Sequence, residues 1–233
     1  MDEFTIRPIA RMRGDFPEKF GIPRQAGVVG ALESRVVFEP EYRQAEALRG
    51  IEGFSHLWLI WGFSEAVRGD WSLTVRPPRL GGNTRMGVFA TRSPFRPNSL
   101  GLSCVRLLAV EQDEKLGLTL KVAGADLMDG TPIFDIKPYV PYADCVPDAL
   151  GGFAPDAGRT LAVEYAPGAA EAVAPEKMAA LTGVLANDPR PRYQDEPERV
   201  YALSFAGYGV KFSVSGERLT VLSAEKSPPA DKK

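Results

Sequence analysis

A succession of short apolar segments, separated by turns rich in glycine and proline, constrains the fold of this chain more than any other feature. Strand-like patterns cover residues 5–12, 35–38, 54–63, 73–76, 85–92, 100–110, 116–122 and 133–137. Only residues 41–49, which begin with an acid and precede Gly50, predict a helix among them. Strands that follow strands in this way predict a small antiparallel β-barrel or sandwich. The fingerprint GxGxxG is absent, so an ordinary Rossmann fold is not predicted.

Composition divides the 233 residues into two units. Residues 1–142 form the predicted barrel, and residues 143–175, rich in Ala, Gly, Pro and Asp, are predicted to be a linker. Residues 176–224 predict a smaller α+β domain, with a helix near 175–185 and strands near 200–205, 210–214 and 218–222. The polar tail 225–233 is predicted to be disordered. The predicted fold class is therefore mostly β, with a small C-terminal domain.

Few residues are available for metal binding or for a hydrolytic triad. The chain has two cysteines, Cys104 and Cys145, which we expect to be inert core thiols, and one histidine, His56, which we expect to organise the core. No metal site is predicted. The longest apolar run, residues 57–63, is far shorter than the roughly 20 residues of a transmembrane helix. The N-terminus also lacks an apolar signal region, so we expect a cytoplasmic protein without membrane contact.

Charge is sorted along the chain although the net charge is only −2. No Asp or Glu occurs from Trp71 to Val110, and every cation in that stretch is arginine. The arginines are Arg76, Arg79, Arg85, Arg92, Arg96 and Arg106. Arginine favours planar, bidentate recognition of phosphate, carboxylate or a base edge. The stretch predicts an anion-binding site, with solvated strand ends as the alternative.

Carboxylates follow in residues 124–144. Asp126 and Asp129 are predicted either to cap a turn, with Gly130 in the left-handed conformation, or to line a site. Asp135 and Lys137 are two apart on a predicted strand, so they share one face and can form an ion pair beside Tyr139. A carboxylate in this region could hold a ribose or a ligand ammonium group.

Two shorter motifs add donors. In the loop Pro23–Gly27, Arg24 and Gln25 are held between proline and glycine, although a plain surface loop explains them equally well. Near the C-terminal domain, Arg190, Arg192 and Tyr193 fall together in the turn DPRPRY. Arginine beside an aromatic ring suits stacking on an unpaired RNA base, with a simple linker turn as the alternative.

Taken together, these motifs resemble those of the TrmO (TsaA/YaeB-like) family. The resemblance rests on FGIPRQAG, RGIEGFSHLWLIW, RPPRLGGNTRMGVFATRSPFRPNSLGLS, DLMDGTPIFDIKPYVPYAD and DPRPRY. It is dense over residues 4–142 and thinner over the C-terminal unit. It implies a dimeric β-barrel methyltransferase that uses S-adenosylmethionine to methylate N6 of threonylcarbamoyladenosine beside the tRNA anticodon.

The resemblance also implies which residues act. The implied donor-binding residues are Arg24, Gln25, Gly27, Ser64, Glu65, Arg92, Leu102, Asp126, Leu127, Met128, Asp129 and Gly130. Ser64 and Glu65 differ from their counterparts in the family, so backbone contacts are implied there. The residues predicted to contact RNA are Arg76, Arg79, Arg85, Arg96, Arg190, Arg192 and Tyr193. Asp135 or Tyr139 is the candidate general base.

Two alternatives remain open from the sequence. The same arginines could serve a non-enzymatic RNA-binding or regulatory barrel, which would have no use for the carboxylates of the DLMDG turn. The chain could also methylate another RNA or a small anionic molecule. Methyl transfer from a sulfonium requires mainly positioning of the reactants, so the lack of an obvious nucleophile does not count against either methyltransferase hypothesis.

Overall fold

The computed structural model describes residues 3–66, 70–190, 196 and 199–227. It is mostly β, as predicted. The strands are β1 (Ala10–Arg13), β2 (Glu33–Phe38), β3 (His56–Gly62), β4 (Thr74–Val75), β5 (Met86–Gly87), β6 (Leu100–Asp113), β7 (Gly117–Ala123), β8 (Pro132–Pro138), β9 (Ala162–Tyr165), β10 (Tyr201–Phe205), β11 (Tyr208–Ser215) and β12 (Arg218–Lys226). The α-helices are α1 (Pro141–Asp144) and α2 (Pro175–Ala186).

The first unit is a closed antiparallel barrel. Its strands pair in the order β1-β2-β7-β6-β3-β8, and β8 returns to β1. Alternation along β3 sends Leu57, Leu59 and Trp61 into the barrel core, where they are buried. Trp61 pairs with Gly101 and Gly62 pairs with Leu100, so the end of β3 lies beside the start of β6. This end of the barrel carries the site described below.

The second unit packs α2 against a sheet of order β10-β11-β12-β9. Strand β9 lies inside the expected linker 143–175 and pairs in parallel with β12. The C-terminal fold therefore begins earlier than the sequence predicted. Strand β12 likewise continues to Lys226, past the expected start of the tail at residue 225. Residues 228–233 lie outside the described residues.

The segment between β1 and β2, residues 14–32, joins the two units and is called the N-terminal loop below. Phe16, Val29 and Leu32 from this loop are buried in the core of the C-terminal unit. Asp15 also accepts two hydrogen bonds from Lys177 Nζ on α2, each 2.7 Å long. The loop is thus shaped by the C-terminal unit although it belongs to the N-terminal sequence.

Three predicted elements differ from the structure. The first strand, expected over residues 5–12, begins only at Ala10. Residues 41–49 do not form an α-helix but two short 3-10 turns, Pro40–Tyr42 and Ala45–Leu48, because Gln44 between them is extended. Within those turns Leu48 is the buried residue, so little packing supports a longer helix. The strand expected over 85–92 is limited to β5, and a 3-10 turn follows over Val88–Ala90.

Candidate active site

A cavity of about 600 Å³ opens at the end of the barrel where β3 finishes and β6 starts. It is called the cleft below. Four segments line it: the N-terminal loop, the end of β3 with the residues that follow, the stretch 91–102, and the turn 126–131 between β7 and β8. A cavity of this size accommodates a cofactor or a drug-sized ligand. The cleft is therefore assembled from segments that are far apart in sequence.

A chain of hydrogen bonds fixes one carboxylate in the cleft. Trp61 Nε1 donates to Ser103 Oγ over 2.9 Å, and Ser103 Oγ donates to Asp126 Oδ1 over 2.5 Å. Burial raises the pKa of Asp126, while the Ser103 hydrogen bond and the nearby charge of Arg92 act in the opposite direction. A Cβ on Gly101 would lie 2.3 Å from the Trp61 ring, so glycine is required there. The indole and the carboxylate are thus held in one arrangement.

A second chain of donors lies at the mouth of the cleft. Arg92 Nη1 donates to Gln25 Oε1, and Gln25 Nε2 donates to the Arg24 carbonyl oxygen. Arg24 Nη2 in turn donates to the carbonyl oxygen of Arg190 over 3.1 Å. Arg92 and Arg24 are both exposed, so their positive charge is available to an anionic ligand. The mouth therefore combines donors from two segments of the chain, and a third segment supplies the carbonyl acceptor of Arg190.

Apolar side chains complete the cleft. Phe63 packs on Trp61 with ring centroids 4.3 Å apart, and Met128 lies in the turn beyond them. Leu102 lines the cleft while 53% of its surface is exposed. An exposed leucine beside a carboxylate and arginines suits a ligand that has both an apolar face and charged groups.

Most of the predicted donor-binding residues meet in the cleft, namely Arg24, Gln25, Ser64, Glu65, Arg92, Leu102, Asp126, Leu127 and Met128. Three others do not line it. Gly27 N donates to Gly124 O over 2.8 Å, and Gly130 N donates to Met12 O over 2.8 Å with a φ of 80°. Asp129 accepts from Gly14 N and Arg13 Nη1, each at 3.2 Å. These three residues hold the surrounding backbone.

The two candidates for a general base lie outside the cleft. Asp135 forms the predicted ion pair with Lys137 at 3.0 Å on β8. Tyr139 packs against His56 and Trp58, near the opposite end of β3 from the cleft. Neither residue is therefore among those that line the cleft with Asp126 and Arg92.

The cysteines differ from each other. Cys104 is half-buried, and burial raises the pKa of its thiol, which favours the inert state. Cys145 is exposed, contrary to the expectation of a core thiol, because it follows the short surface helix α1 rather than a barrel strand.

The arginines predicted to contact RNA have different environments. Arg76 and Arg85 are exposed, whereas Arg79 forms an ion pair with Asp156. Arg96 lines the cleft and donates to the Thr91 carbonyl oxygen over 2.8 Å. Arg190 is buried, and Asp188 accepts two hydrogen bonds from it at 2.8 and 2.9 Å, so its guanidinium faces the protein. Arg192 and Tyr193 lie outside the described residues.

Sequence reasoning missed Ser103 and Trp61. The alternation of Gly101, Ser103 and Val105 places all three on the inner side of β6, and a lone hydroxyl there was a usable signal. Lys19 was also missed. It lines the cleft and donates to the Glu65 carbonyl oxygen over 2.6 Å, which ties the N-terminal loop to the end of β3.

Two other kinds of feature are absent from the part of the chain that the structure describes. Among the residues that the structure describes, no helix is long and apolar enough to cross a membrane. Across the same part of the chain, no three His, Cys, Asp or Glu side chains group together as metal ligands.

Comparison with known proteins points to one family. Residues 11–145 match the tRNA-methyltransferase O N-terminal domain, and residues 158–227 match the TrmO C-terminal domain. The chain is 41% identical to tRNA (adenine(37)-N6)-methyltransferase of Escherichia coli (strain K12), over 97% of this chain and 99% of that protein. It is 43% identical, over 85% of this chain and 87% of the other, to a Pseudomonas aeruginosa protein whose name includes the words S-adenosylmethionine-dependent methyltransferase. Its fold is similar to the crystal structure of TrmO from Pseudomonas aeruginosa, with a TM-score of 0.80, 34% identity, and coverage of 96% and 98% of the two chains.

Proposed function

Because this chain belongs to the TrmO family, we propose that it transfers a methyl group from S-adenosyl-L-methionine to N6 of adenine 37 in tRNA. The acceptor in this proposal is threonylcarbamoyladenosine, the modified base beside the anticodon. The observation that supports the proposal best is the cleft, which combines the carboxylate of Asp126, the guanidinium of Arg92 and the exposed Leu102.

The residues of the cleft fit the proposed methyl donor. S-adenosylmethionine has ribose hydroxyls and an ammonium group, and a carboxylate such as that of Asp126 can accept hydrogen bonds from either. It also has a carboxylate, which Arg92 or Arg24 at the mouth can bind, and an adenine ring, which Leu102 and Met128 can contact. The volume of about 600 Å³ is sufficient for a ligand of this size.

Catalysis in this proposal depends on positioning. When bound, the donor would supply an activated methyl group on a sulfonium. As the N6–CH3 bond forms, the S–CH3 bond would break, S-adenosylhomocysteine would leave and the N6 proton would pass to solvent, so the chain has to hold N6 of the acceptor in line with the methyl group. Asp126 is fixed by Ser103 and Trp61, so the protein meets the donor with a preformed contact. Asp135 and Tyr139 lie away from the cleft, and the proposal gives them no part in the transfer.

Recognition of the acceptor is assigned to the arginines. Arg96 lines the cleft, while Arg76 and Arg85 are exposed beside it in sequence, where they can contact phosphates of the anticodon loop. Arginine also suits the threonyl carboxylate, which it can bind in a bidentate manner. Arg190 is left out of the RNA contacts because it is buried.

The proposal includes a homodimer in the cytoplasm. Leu100 and Leu102 beside the cleft and Leu108 further along β6 are exposed, and a second copy packed on this strand would cover them. Light scattering on the purified protein tests the assembly. A monomer at micromolar concentration would contradict it.

One assay tests the function directly. The protein is incubated with labelled S-adenosylmethionine and with tRNA that has or lacks the threonylcarbamoyl group. We expect label only in the modified tRNA. Equal labelling of both would remove the substrate assignment, and failure of the folded protein to bind donor or S-adenosylhomocysteine by calorimetry would refute the donor site.

A further inference from the structure

An exposed pair of aromatic rings lies at the edge of the cleft. Trp71 and Phe89 stack with centroids 6.0 Å apart and an angle of 28° between the rings. Trp71 is 45% exposed and Phe89 is 70% exposed. Contiguous apolar surface that is exposed on a soluble protein can mark a binding site. Neither ring has a part in the donor site.

The backbone holds this pair beside the cleft. The β4–β5 hairpin and the hydrogen bond from Val88 N to Leu73 O, 3.0 Å long, set the two segments side by side. Ser72 N donates to the carbonyl oxygen of Phe95, a residue that lines the cleft. Arg96, another residue of the cleft, lies over the Phe89 ring at 5.9 Å from its centroid.

We propose that Trp71 and Phe89 form a stacking site for an unpaired nucleobase of the anticodon loop, next to the base that enters the cleft. This inference rests on the proposed function. Every base has a flat face that stacks on an aromatic ring, and loop bases are unpaired and accessible. Stacking holds the loop while the neighbouring base is presented to the donor.

Charge favours RNA over a second copy of the chain as the occupant. The pair lies in the acid-free stretch, and Arg85 on the adjacent hairpin is exposed and donates to Thr74 Oγ1 over 3.1 Å. A twofold interface on this surface would bring the arginines of both copies together, which is unfavourable. A phosphate backbone is attracted by the same arginines.

The test compares Phe89→Ala and Trp71→Ala with Tyr142→Ala. Tyr142 is a matched control because it is 93% exposed and lies outside the acid-free stretch. Affinity for an anticodon stem-loop RNA is measured by fluorescence anisotropy, and affinity for S-adenosylmethionine by calorimetry. We expect Phe89→Ala and Trp71→Ala each to lose about fivefold or more in RNA affinity, with affinity for S-adenosylmethionine unchanged. Tyr142→Ala should match wild type in both.

Salt dependence separates stacking from phosphate binding. Phe89→Ala should keep the wild-type slope of log Kd against log salt, whereas Arg85→Ala should reduce it by about one. RNA affinity of Phe89→Ala within twofold of wild type would overturn the stacking site. A change in oligomeric state of Phe89→Ala, seen by light scattering, would also overturn it in favour of an interface between copies.

The proposed function has a separate readout. If wild type transfers no methyl group to tRNA but Phe89→Ala and Trp71→Ala still lose RNA affinity, the stacking site stands and the enzymatic assignment fails. If wild type methylates tRNA and these two variants bind RNA normally, the enzymatic assignment stands and the stacking site fails.

Discussion

The two segments at the mouth of the cleft are held in place by different interactions. The N-terminal loop buries Phe16, Val29 and Leu32 in the C-terminal core. The arginine segment, residues 71–99, is held largely by hydrogen bonds within itself, such as Thr91 Oγ1 to Val88 O at 2.8 Å and Ser99 Oγ to Pro94 O at 2.9 Å. The first segment is therefore linked to global stability, while the second can vary its surface at little cost in folding.

The largest effect on stability should come from a substitution in the N-terminal loop. Phe16→Ala removes a buried ring that packs edge-on against Phe205 at 5.4 Å, and we expect a loss of about 3–5 kcal/mol in the free energy of unfolding. Donor affinity should fall as well, because the N-terminal loop lines the cleft. Urea unfolding and calorimetry measure the two effects. Phe4→Ala, at an 89% exposed position, is the control and should change little.

Ser103→Ala should have an intermediate effect. It leaves the Trp61 indole N–H without its acceptor in the barrel core, which costs about 1–3 kcal/mol. Asp126 also loses the hydrogen bond that Ser103 donates to it, so binding of S-adenosylmethionine should weaken. Thermal and urea unfolding measure the stability. Ser103→Thr retains a hydroxyl, and an equal loss in that variant would show that shape rather than hydrogen bonding matters.

Asp126→Asn should separate stability from binding. The folded pKa of Asp126 is raised by burial, so its stabilising contribution is fully present below the unfolded pKa and is lost as pH rises through the folded value. Asparagine cannot ionise, so at neutral pH the variant should unfold at the wild-type temperature or above. Donor affinity should fall by about tenfold, since a charged acceptor is lost. Melting at lower temperature than wild type at neutral pH would contradict the argument.

The smallest change in stability is expected from a substitution in the arginine segment. Arg92→Ala removes an exposed side chain, so the free energy of unfolding should stay within about 0.5 kcal/mol of wild type. Binding of the donor or of tRNA should nevertheless weaken. Arg218→Ala, on the C-terminal sheet, is the control for loss of one positive charge. A large drop in melting temperature for Arg92→Ala would mean that the arginine segment is also structural.

Apolar segments bounded by turn residues made the long barrel strands predictable. Residues 116–122 alternate with a period of two because one face of the strand meets the core, whereas residues 57–63 are a continuous apolar run that fits a buried strand. Strand β9 was not predictable from its four residues, since its extended conformation depends on parallel pairing with β12, more than fifty residues later. Residues 41–49 gave a helical pattern but no α-helix because Leu48 is the buried residue in their two 3-10 turns, so little packing supports a longer helix.

The candidate site was predictable where local motifs suffice. Arg24, Arg92 and Asp126 each fall in a motif rich in glycine or proline, and the resemblance grouped them. The positions of Asp135 and Tyr139 depend on the register of β8 against β3, which no local pattern supplies. Arg190 appeared to be a surface arginine because the packing of its turn against the N-terminal loop is a tertiary feature.

Burial of the N-terminal loop in the C-terminal core also sets the order of events during synthesis. Ala206 N donates to Asp15 O over 2.8 Å, and the Phe16 ring packs against Phe205, so both contacts require residues near the end of the chain. The first strands of the barrel leave the ribosome long before these partners exist, and contacts between such distant residues form late and slowly. A nascent chain that ends just before residue 205 would contain all six barrel strands but lack the partners of the N-terminal loop, so its cleft would be unformed. The cleft can therefore bind a ligand only after the C-terminal sheet has been synthesised and has folded.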